Sequence, residues 1–283
     1  MDCNRGRYTV EMMARVLRIS ARSYYDYKRG RHNLREQKRE LLERLIQKVY
    51  AAAKGRYGAP RIAAEIQAKH HYVSVNTVSR YMQRMGLRSK LSRKYRHVDY
   101  PQYTLRTCPN YLDRKFEVDA PCKVWVSDIT YIHTTHGFRY LTSVIDLYDR
   151  KVIGWSLSST MTAADTSVRA YKMATRTRRP SAGMIFHSDQ GVQYACQELR
   201  SALDRNVVQS MSRRGNCWDN AVAESFFKSL KCELIYDNKL LSAEQLEMEI
   251  FEYIEIFYNK IRRHSALKNM TIDEFNNLNK IPA

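Results

Sequence analysis

Residues 123–132, KVWVSDITYI, decide the fold, because they open a new texture in the chain and carry an acid where a strand would not choose one. Val, Trp, Ile, Thr and Tyr are strand formers, and the same richness returns in FRYLTSVIDLY (138–148) and KVIGWSLSS (151–159). A THG segment and a DR segment separate the three runs, which suits an antiparallel meander. Beyond it, AADTSVRAYKMATRTR (163–178) has helical composition, GMIF (183–186) is a short apolar run, YACQELRSALDR (194–205) is helical again and NVVQS (206–210) is another short strand. MSRRGNCWDNAVAESFFKSLKCE (211–233) starts as a loop and continues as a helix. The order βββαβαβα predicts an α/β domain, a mixed sheet with helices on its faces.

That order is the topology of a ribonuclease-H-like domain, in which the first and fourth strands are neighbours. Asp128 falls inside the first strand, where an acid is poor β material. Asp189 follows the strand GMIF, at the C-terminal strand end where open α/β sheets gather functional groups. In the last helix Asn220, Glu224, Lys228 and Lys231 share a polar stripe, while Val222, Phe226 and Leu230 form an apolar one. Glu224 therefore looks out from the helix, and the topology can bring it to Asp128 and Asp189. Three acids together would repel one another, and hard oxygen donors of this kind suit Mg²⁺. Two such ions roughly 3.5–4 Å apart can activate a nucleophile and stabilise a leaving oxygen in phosphoryl transfer. Asp146, Asp149, Asp165 and Asp219 are less well placed; Asp146 could support the metal ligands and Asp219 reads as a helix cap.

The formal net charge of +19 is concentrated at the start of this 283-residue chain. Residues 1–100 hold 24 Lys and Arg against 8 Asp and Glu, a net of +16, which leaves +3 for the remainder. A basic part beside a near-neutral one suggests docking to a polyanion; a solubility handle or an anionic membrane surface are the plainer readings. In YTVEMMARVLRISARSYYDYKR (8–29), Met12, Met13, Val16 and Leu17 have helical spacing, Ser20 is placed as an N-cap, and Tyr24 and Tyr25 lie in a second helix. After a charged helical stretch (35–54), Gly55, Gly58 and Pro60 punctuate, and two helices follow over about 61–69 and 75–85. In the second, Val75, Val78, Met82 and Met85 form a core stripe, and Asn76, Thr77, Arg80 and Arg84 give a polar, basic face suited to a DNA groove. The cluster RSKLSRKYR (88–96) supplies Arg88, Lys90, Arg93 and Lys94 as a phosphate-tracking arm.

Other chemistries lack their signatures. The chain carries no G-x-x-x-x-G-K-[ST], no G-x-S-x-G and no H-E-x-x-H, and its six cysteines include no C-x-x-C pair. No apolar run has the length of a membrane span and the N-terminus lacks a signal peptide's apolar segment, so a cytoplasmic protein without a membrane partner is expected.

WVSDITYI, HSDQGVQY and the 211–233 block, with YGAPRI (57–62) upstream and YNKIRRHSAL (258–267) downstream, carry a specific likeness. The chain resembles the second-reading-frame transposases of bacterial two-frame insertion sequences, a branch of the DDE transposase and retroviral integrase superfamily. The resemblance implies that Asp128, Asp189 and Glu224 are the metal-binding catalytic acids, with Mg²⁺ as cofactor and Mn²⁺ as its substitute. It further implies cleavage at terminal inverted repeats and transfer of the freed 3′ hydroxyl to another phosphodiester. Lys228 and Lys231, with Asn220 on the same stripe, become candidates for holding terminal nucleotides. Between Asp189 and Glu224 the chain is one residue shorter than the family's habitual spacing.

The expected organisation is a helix-turn-helix and connecting helix over 1–54, a second helix-turn-helix module over 55–95, a linker over 96–115, a catalytic core over 116–235 and a helical tail over 236–283. Expected partners are double-stranded DNA, both terminal repeats and target, at least one further copy of the chain on that DNA, and a first-frame protein or fusion. Bound to DNA, the protein would be nucleoid-associated. The competing functions are a DNA-binding regulator with a non-catalytic sheet domain and a nuclease that cuts without joining.

Overall fold

The computed structural model describes residues 1–30, 34–90, 107–236 and 240–279. The chain divides into two compact units, Met1–Arg88 and Ser89–Ala283. Arg93 and Lys94 lie outside the described residues.

The first unit is helical. Helices α1 (Val10–Val16) and α2 (Ala21–Lys28) start at side-chain caps: the Thr9 hydroxyl accepts from Met12 N–H and the Ser20 hydroxyl from Ser23 N–H, the cap expected at Ser20. Their contact is small. Val10, Ala14 and Tyr24 are buried, whereas Met12, Val16 and Leu17 are exposed, Val16 at 78%. Helix α3 (Leu34–Ala52) packs with α4 (Ala59–Ala68) and α5 (Val75–Arg84) around Ile46, Val49, Ile62, Ile66, Val78 and Met82. A module boundary between residues 54 and 55 would cut through this shared core, so α3 belongs with α4 and α5. Val75, at 42% exposure, sits at the rim instead of in the expected stripe.

The second unit is built on a five-stranded sheet of order β3-β2-β1-β4-β5. Strands β1 (Val124–Thr134), β2 (Gly137–Asp146) and β3 (Val152–Ser158) form the antiparallel meander, while β4 (Ile185–Ser188) and β5 (Val208–Met211) add in parallel beside β1. Helix α6 (Arg169–Thr177), entered through a π-helical turn at Ala164–Val168, joins β3 to β4. Two short helices, α7 (Val192–Ala195) and α8 (Gln197–Ala202), join β4 to β5. One face of the sheet is sealed by Trp125, Val144, Ile153, Tyr171, Phe186, Tyr194 and Leu199. Gly154 lets α6 approach β3 at backbone distance, since a Cβ there would overlap the Ala170 carbonyl and the Ala174 backbone. The sequence-derived α/β order is the observed one.

Helix α9 (Ala221–Leu230) continues into a π-helical stretch at Lys231–Ile235 and buries Ala223, Phe226, Phe227 and Leu230. The tail forms α10 (Ala243–Phe251), its π-helical continuation Glu252–Ile261, and α11 (Ile272–Leu278). It is an integral part of the second unit. Arg262, buried, donates to both Glu233 carboxylate oxygens, Tyr253 donates to Glu233, and Asn259 bonds both the N–H and the carbonyl of Val152 on β3. Asn276 on α11 reaches the carboxylate of Asp149, which with Asp146 holds the Arg178 guanidinium at 2.5–3.1 Å. Residues 107–115, read from the sequence as linker, run along β5: Tyr111 N–H donates to the Ser210 hydroxyl and Met211 N–H to the Pro109 carbonyl. That covers part of an otherwise open sheet edge.

Candidate active site and nucleic-acid interface

β1 and β4 run parallel with Val126 opposite His187. Continuing that register by two residues brings Asp189, which follows the last residue of β4, to the level of Asp128. From above, α9 is fixed to β1 by Asn220, whose side-chain amide donates to the Ser127 carbonyl at 3.1 Å. Phe226 and Leu230 anchor the same helix in the core, which leaves Glu224, one turn after Asn220, on its solvent side. Three elements thus bring three carboxylates within reach of one another's charge at Asp128.

The electrostatics follow from that convergence. Burial raises the Asp128 carboxyl well above its ordinary range, the charges of Asp189 and Glu224 push it further, and its own backbone contact with Ile129 N–H and the Lys231 ammonium oppose the rise. The protein around Asp189 raises that carboxyl too, against the hydrogen bond it accepts from Gly191 N–H at 3.0 Å. Burial lowers the Lys231 ammonium while Asp128 pulls it back up, so this lysine lies in the field of the first acid. A donor set of three carboxylates with a mutual charge penalty fits hard divalent cations, which would remove the penalty by binding it. Among the described residues, no three His, Cys, Asp or Glu side chains already converge as a formed ion site.

The surrounding side chains serve this corner in ways the sequence did not show. Tyr194 is buried, its hydroxyl 2.7 Å from the Ser127 hydroxyl, and both Asp128 and Asp189 act on it electrostatically. His187 is buried between the hydroxyls of Ser210 at 2.9 Å and Ser212 at 3.2 Å, and burial lowers its ring to about 4. Both stand in the quoted HSDQGVQY stretch, so the available signal was the buried aromatic partners flanking the acid. Asn220 is a correction: at 4% exposure and bonded to β1, it positions α9 and does not offer a DNA-facing amide. Asp219 is another, since it is no helix cap. Fully buried, it accepts from the backbone and guanidinium of Arg213, from Arg114 and from Asn110, and so ties the 107–115 segment to the loop before α9. Asp146 faces Arg178 at the other end of the meander, opposite Trp125 in register, and gives the acids no support. Asp165 is held locally by the Thr160 and Thr162 hydroxyls.

Lys228 is exposed on α9, and Lys231 is half-buried with its ammonium 5.1 Å from the centre of the Tyr131 ring. In the first unit, Asn76 and Arg80 are exposed along α5. Thr77 is partly spent on the helix cap, its hydroxyl 2.9 Å from that of Ser74, and Arg84 stands 3.8 Å from Glu43 of α3. Arg88 has an exposed side chain and accepts the Tyr50 hydroxyl at its carbonyl, while Lys90 is half-buried.

Comparison with known proteins agrees with this architecture. Residues 118–217 and 224–279 match two families described as integrase core domains, and residues 36–95 match an HTH-like domain. The chain is 38% identical over 282 residues to the transposase InsF for insertion sequence IS3A of Escherichia coli (strain K12), covering 99% of this chain and 98% of that one. It is 41% identical over 244 residues to the transposase for insertion sequence element IS904 of Lactococcus lactis subsp. lactis (strain IL1403), covering 85% and 95%. Among solved structures, a simian T-cell lymphotropic virus intasome in complex with PP2A regulatory subunit B56 gamma aligns with 15% identity and a TM-score of 0.47, over 84% of this chain and 76% of that one. The HTLV-2 integrase catalytic core domain in complex with magnesium aligns with 14% identity and a TM-score of 0.41, over 55% and 96%. The chain belongs to the family of IS3-type insertion-sequence transposases.

Proposed function

We propose that this IS3-type transposase cuts and joins DNA at a centre made by Asp128, Asp189 and Glu224, with Mg²⁺ as its metal and Mn²⁺ as a working substitute. One observation carries the reading: the three carboxylates come from β1, the end of β4 and α9, and Asp128 lies in the field of both others. Two divalent cations bound there would supply Lewis-acid activation of the attacking hydroxyl and charge relief at the leaving oxygen.

The chain's own groups do the rest. Asn220 and the apolar stripe of α9 fix the helix that carries Glu224 against β1, and the Tyr194–Ser127 contact stiffens the β1 position next to Asp128. Gly191 N–H fixes one oxygen of Asp189 and leaves the other available. Lys228 and Lys231, cations on the same helix as Glu224, attract the phosphates flanking the scissile bond. The basic face of α5, led by Asn76 and Arg80 with Arg88 beyond it, holds the element's terminal inverted repeats. Lys90, Arg93 and Lys94 extend that hold along the backbone. Joining needs two ends and a target together, so the working species on DNA contains at least two copies of the chain, with a first-frame protein or fusion as a further partner. No helix among the described residues is long and apolar enough to cross a membrane.

The test is a strand-transfer assay with the element's terminal repeats and Mg²⁺. Covalent joining of a repeat 3′ end to target DNA supports the reading. Cutting without joining would make the protein a nuclease, and binding without cutting would make it a regulator.

A further inference from the structure

Past Asp128, β1 continues for six residues with β2 alone as its partner, because its pairing with β4 stops at Val126. On this extension, large aromatic rings stand in the open. Tyr131 is 43% exposed and Phe138, across the hairpin, 49%. They meet edge to face at 5.6 Å, and His133, paired with Phe138 in register, meets it at 5.1 Å. A cross-strand aromatic pair can serve hairpin stability alone. Here two further features argue for a ligand. The Lys231 ammonium lies over the Tyr131 ring and in the field of Asp128, so one cation links the ring cluster to the acid. The hairpin is also held: Thr135 N–H donates to the Leu241 carbonyl in the tail, and Arg139 adds positive charge near Glu244.

We propose that Tyr131, Phe138 and His133 form a stacking platform for an unpaired nucleobase of the DNA strand being cut or joined. The proposal rests on the reading of Asp128, Asp189 and Glu224 as the catalytic acids. Every base has a π-face, so aromatic platforms beside a cation accept bases without regard to sequence. Three residues of extended strand separate Tyr131 from Asp128, roughly 10 Å. In a B-form strand that corresponds to about three nucleotide rises, which places the captured base within about three positions of the scissile phosphate. A duplex end must open for its base to reach a platform set on the opposite side of the strand from Asp128, so the platform would hold the end frayed while Lys231 holds its phosphate.

The experiment uses the full chain and duplexes of the element's terminal repeat carrying 5-iodouracil at each of the last three positions of the transferred strand. Long-wavelength irradiation should crosslink at least one position to the peptide containing Tyr131 or Phe138. Tyr131→Leu and Phe138→Leu, which keep an apolar hairpin pair but no π-face, should lose the crosslink and lower joining on the order of tenfold or more, while Tyr131→Phe retains both. A frayed substrate with unpaired terminal bases should restore part of the loss. Crosslinks confined to other peptides would overturn the platform, as would Leu variants joining blunt ends at the wild-type rate or differing from wild type in oligomeric state alone. Asp128→Asn separates the two readings: it should still crosslink at the platform but not join. Normal joining by that variant would break the catalytic assignment, while the crosslink map would still decide the platform.

Discussion

The two units use charge in opposite ways. In the helical unit most cations stand on the surface, and several of their ion pairs are long and wet: Arg22–Asp26 at 3.8 Å, Arg39–Glu43 at 3.9 Å, Arg84–Glu43 at 3.8 Å. Such pairs contribute little to stability and leave the charge available to a polyanion. In the sheet unit, Arg178 and Arg262 are withdrawn from water and held by carboxylates at 2.5–2.8 Å. Those charges are committed to architecture. Asp128 follows neither pattern, for it is buried with the charges of Asp189 and Glu224 acting against its own and the Lys231 ammonium acting for it. On the proposed reading, the surface cations of the helical unit meet DNA and the acid cluster of the sheet unit meets metal.

The contrast breaks most sharply at the acids. Asp128→Ala, Asp189→Ala and Glu224→Ala should each lower joining on the order of a thousandfold or more, the several kcal/mol that metal activation supplies, while affinity for terminal-repeat DNA changes little. Rates are read by strand transfer and affinity by gel shift. A Glu224→Ala protein joining at normal rate would remove that residue from the centre.

The next largest effect belongs to the committed charges. Arg262→Ala leaves Glu233 buried without its main cation and should cost about 3–5 kcal/mol in denaturant unfolding. The same substitution at Arg80 should cost less than about 0.5 kcal/mol, because that side chain is on the surface. Equal costs would erase the distinction between the units.

Smaller again is the effect on binding. Arg80→Ala and Arg88→Ala should each reduce the slope of log affinity against log salt by about 1 if each contacts one phosphate. A steeper or unchanged slope in both would move the DNA face elsewhere. Substitution of Lys228 sharpens the same point, since its exposed ammonium should matter to joining while the melting temperature stays within a degree or two.

The smallest expected effect is on acid stability. Arg213, hydrogen-bonded to Asp219 through its guanidinium and backbone, with Arg114 beside it, holds that carboxyl well below the usual carboxylate range. A carboxyl depressed in the folded state stabilises fully above its unfolded value and loses that contribution as pH falls toward the folded value. Wild type should therefore lose stability below about pH 4 more steeply than Asp219→Asn. Parallel curves would show that the exposed arginines screen the pair.

Much of this was legible in the sequence because it depends on local pattern. Strand formers at 123–159, short apolar runs at 183–186 and 206–210, and the stripe of α9 reproduce the element order. The misreadings concern long-range partners. Asp219 and Asn220 look like a cap and a surface amide until Arg114 and the Ser127 carbonyl, roughly a hundred residues earlier, are beside them. Met12, Val16 and Leu17 have helical spacing, yet spacing alone did not show that they stand exposed. The division at residue 54 failed for a related reason: punctuation by Gly55 and Gly58 marks a turn, and the core of α3–α5 passes across it. Tyr194 and Tyr131 stand inside the quoted stretches, but their value comes from what the sheet places next to them.

The central claim is that Asp128, Asp189 and Glu224 together hold metal, and Mn²⁺ bound to the full chain on terminal-repeat DNA tests it without passing through activity. The account predicts that electron paramagnetic resonance detects Mn²⁺ bound by the wild-type complex, and that Asp128→Asn, Asp189→Asn and Glu224→Gln each weaken that binding at least tenfold while DNA remains bound. Equal Mn²⁺ binding by the wild type and all three variants would contradict it.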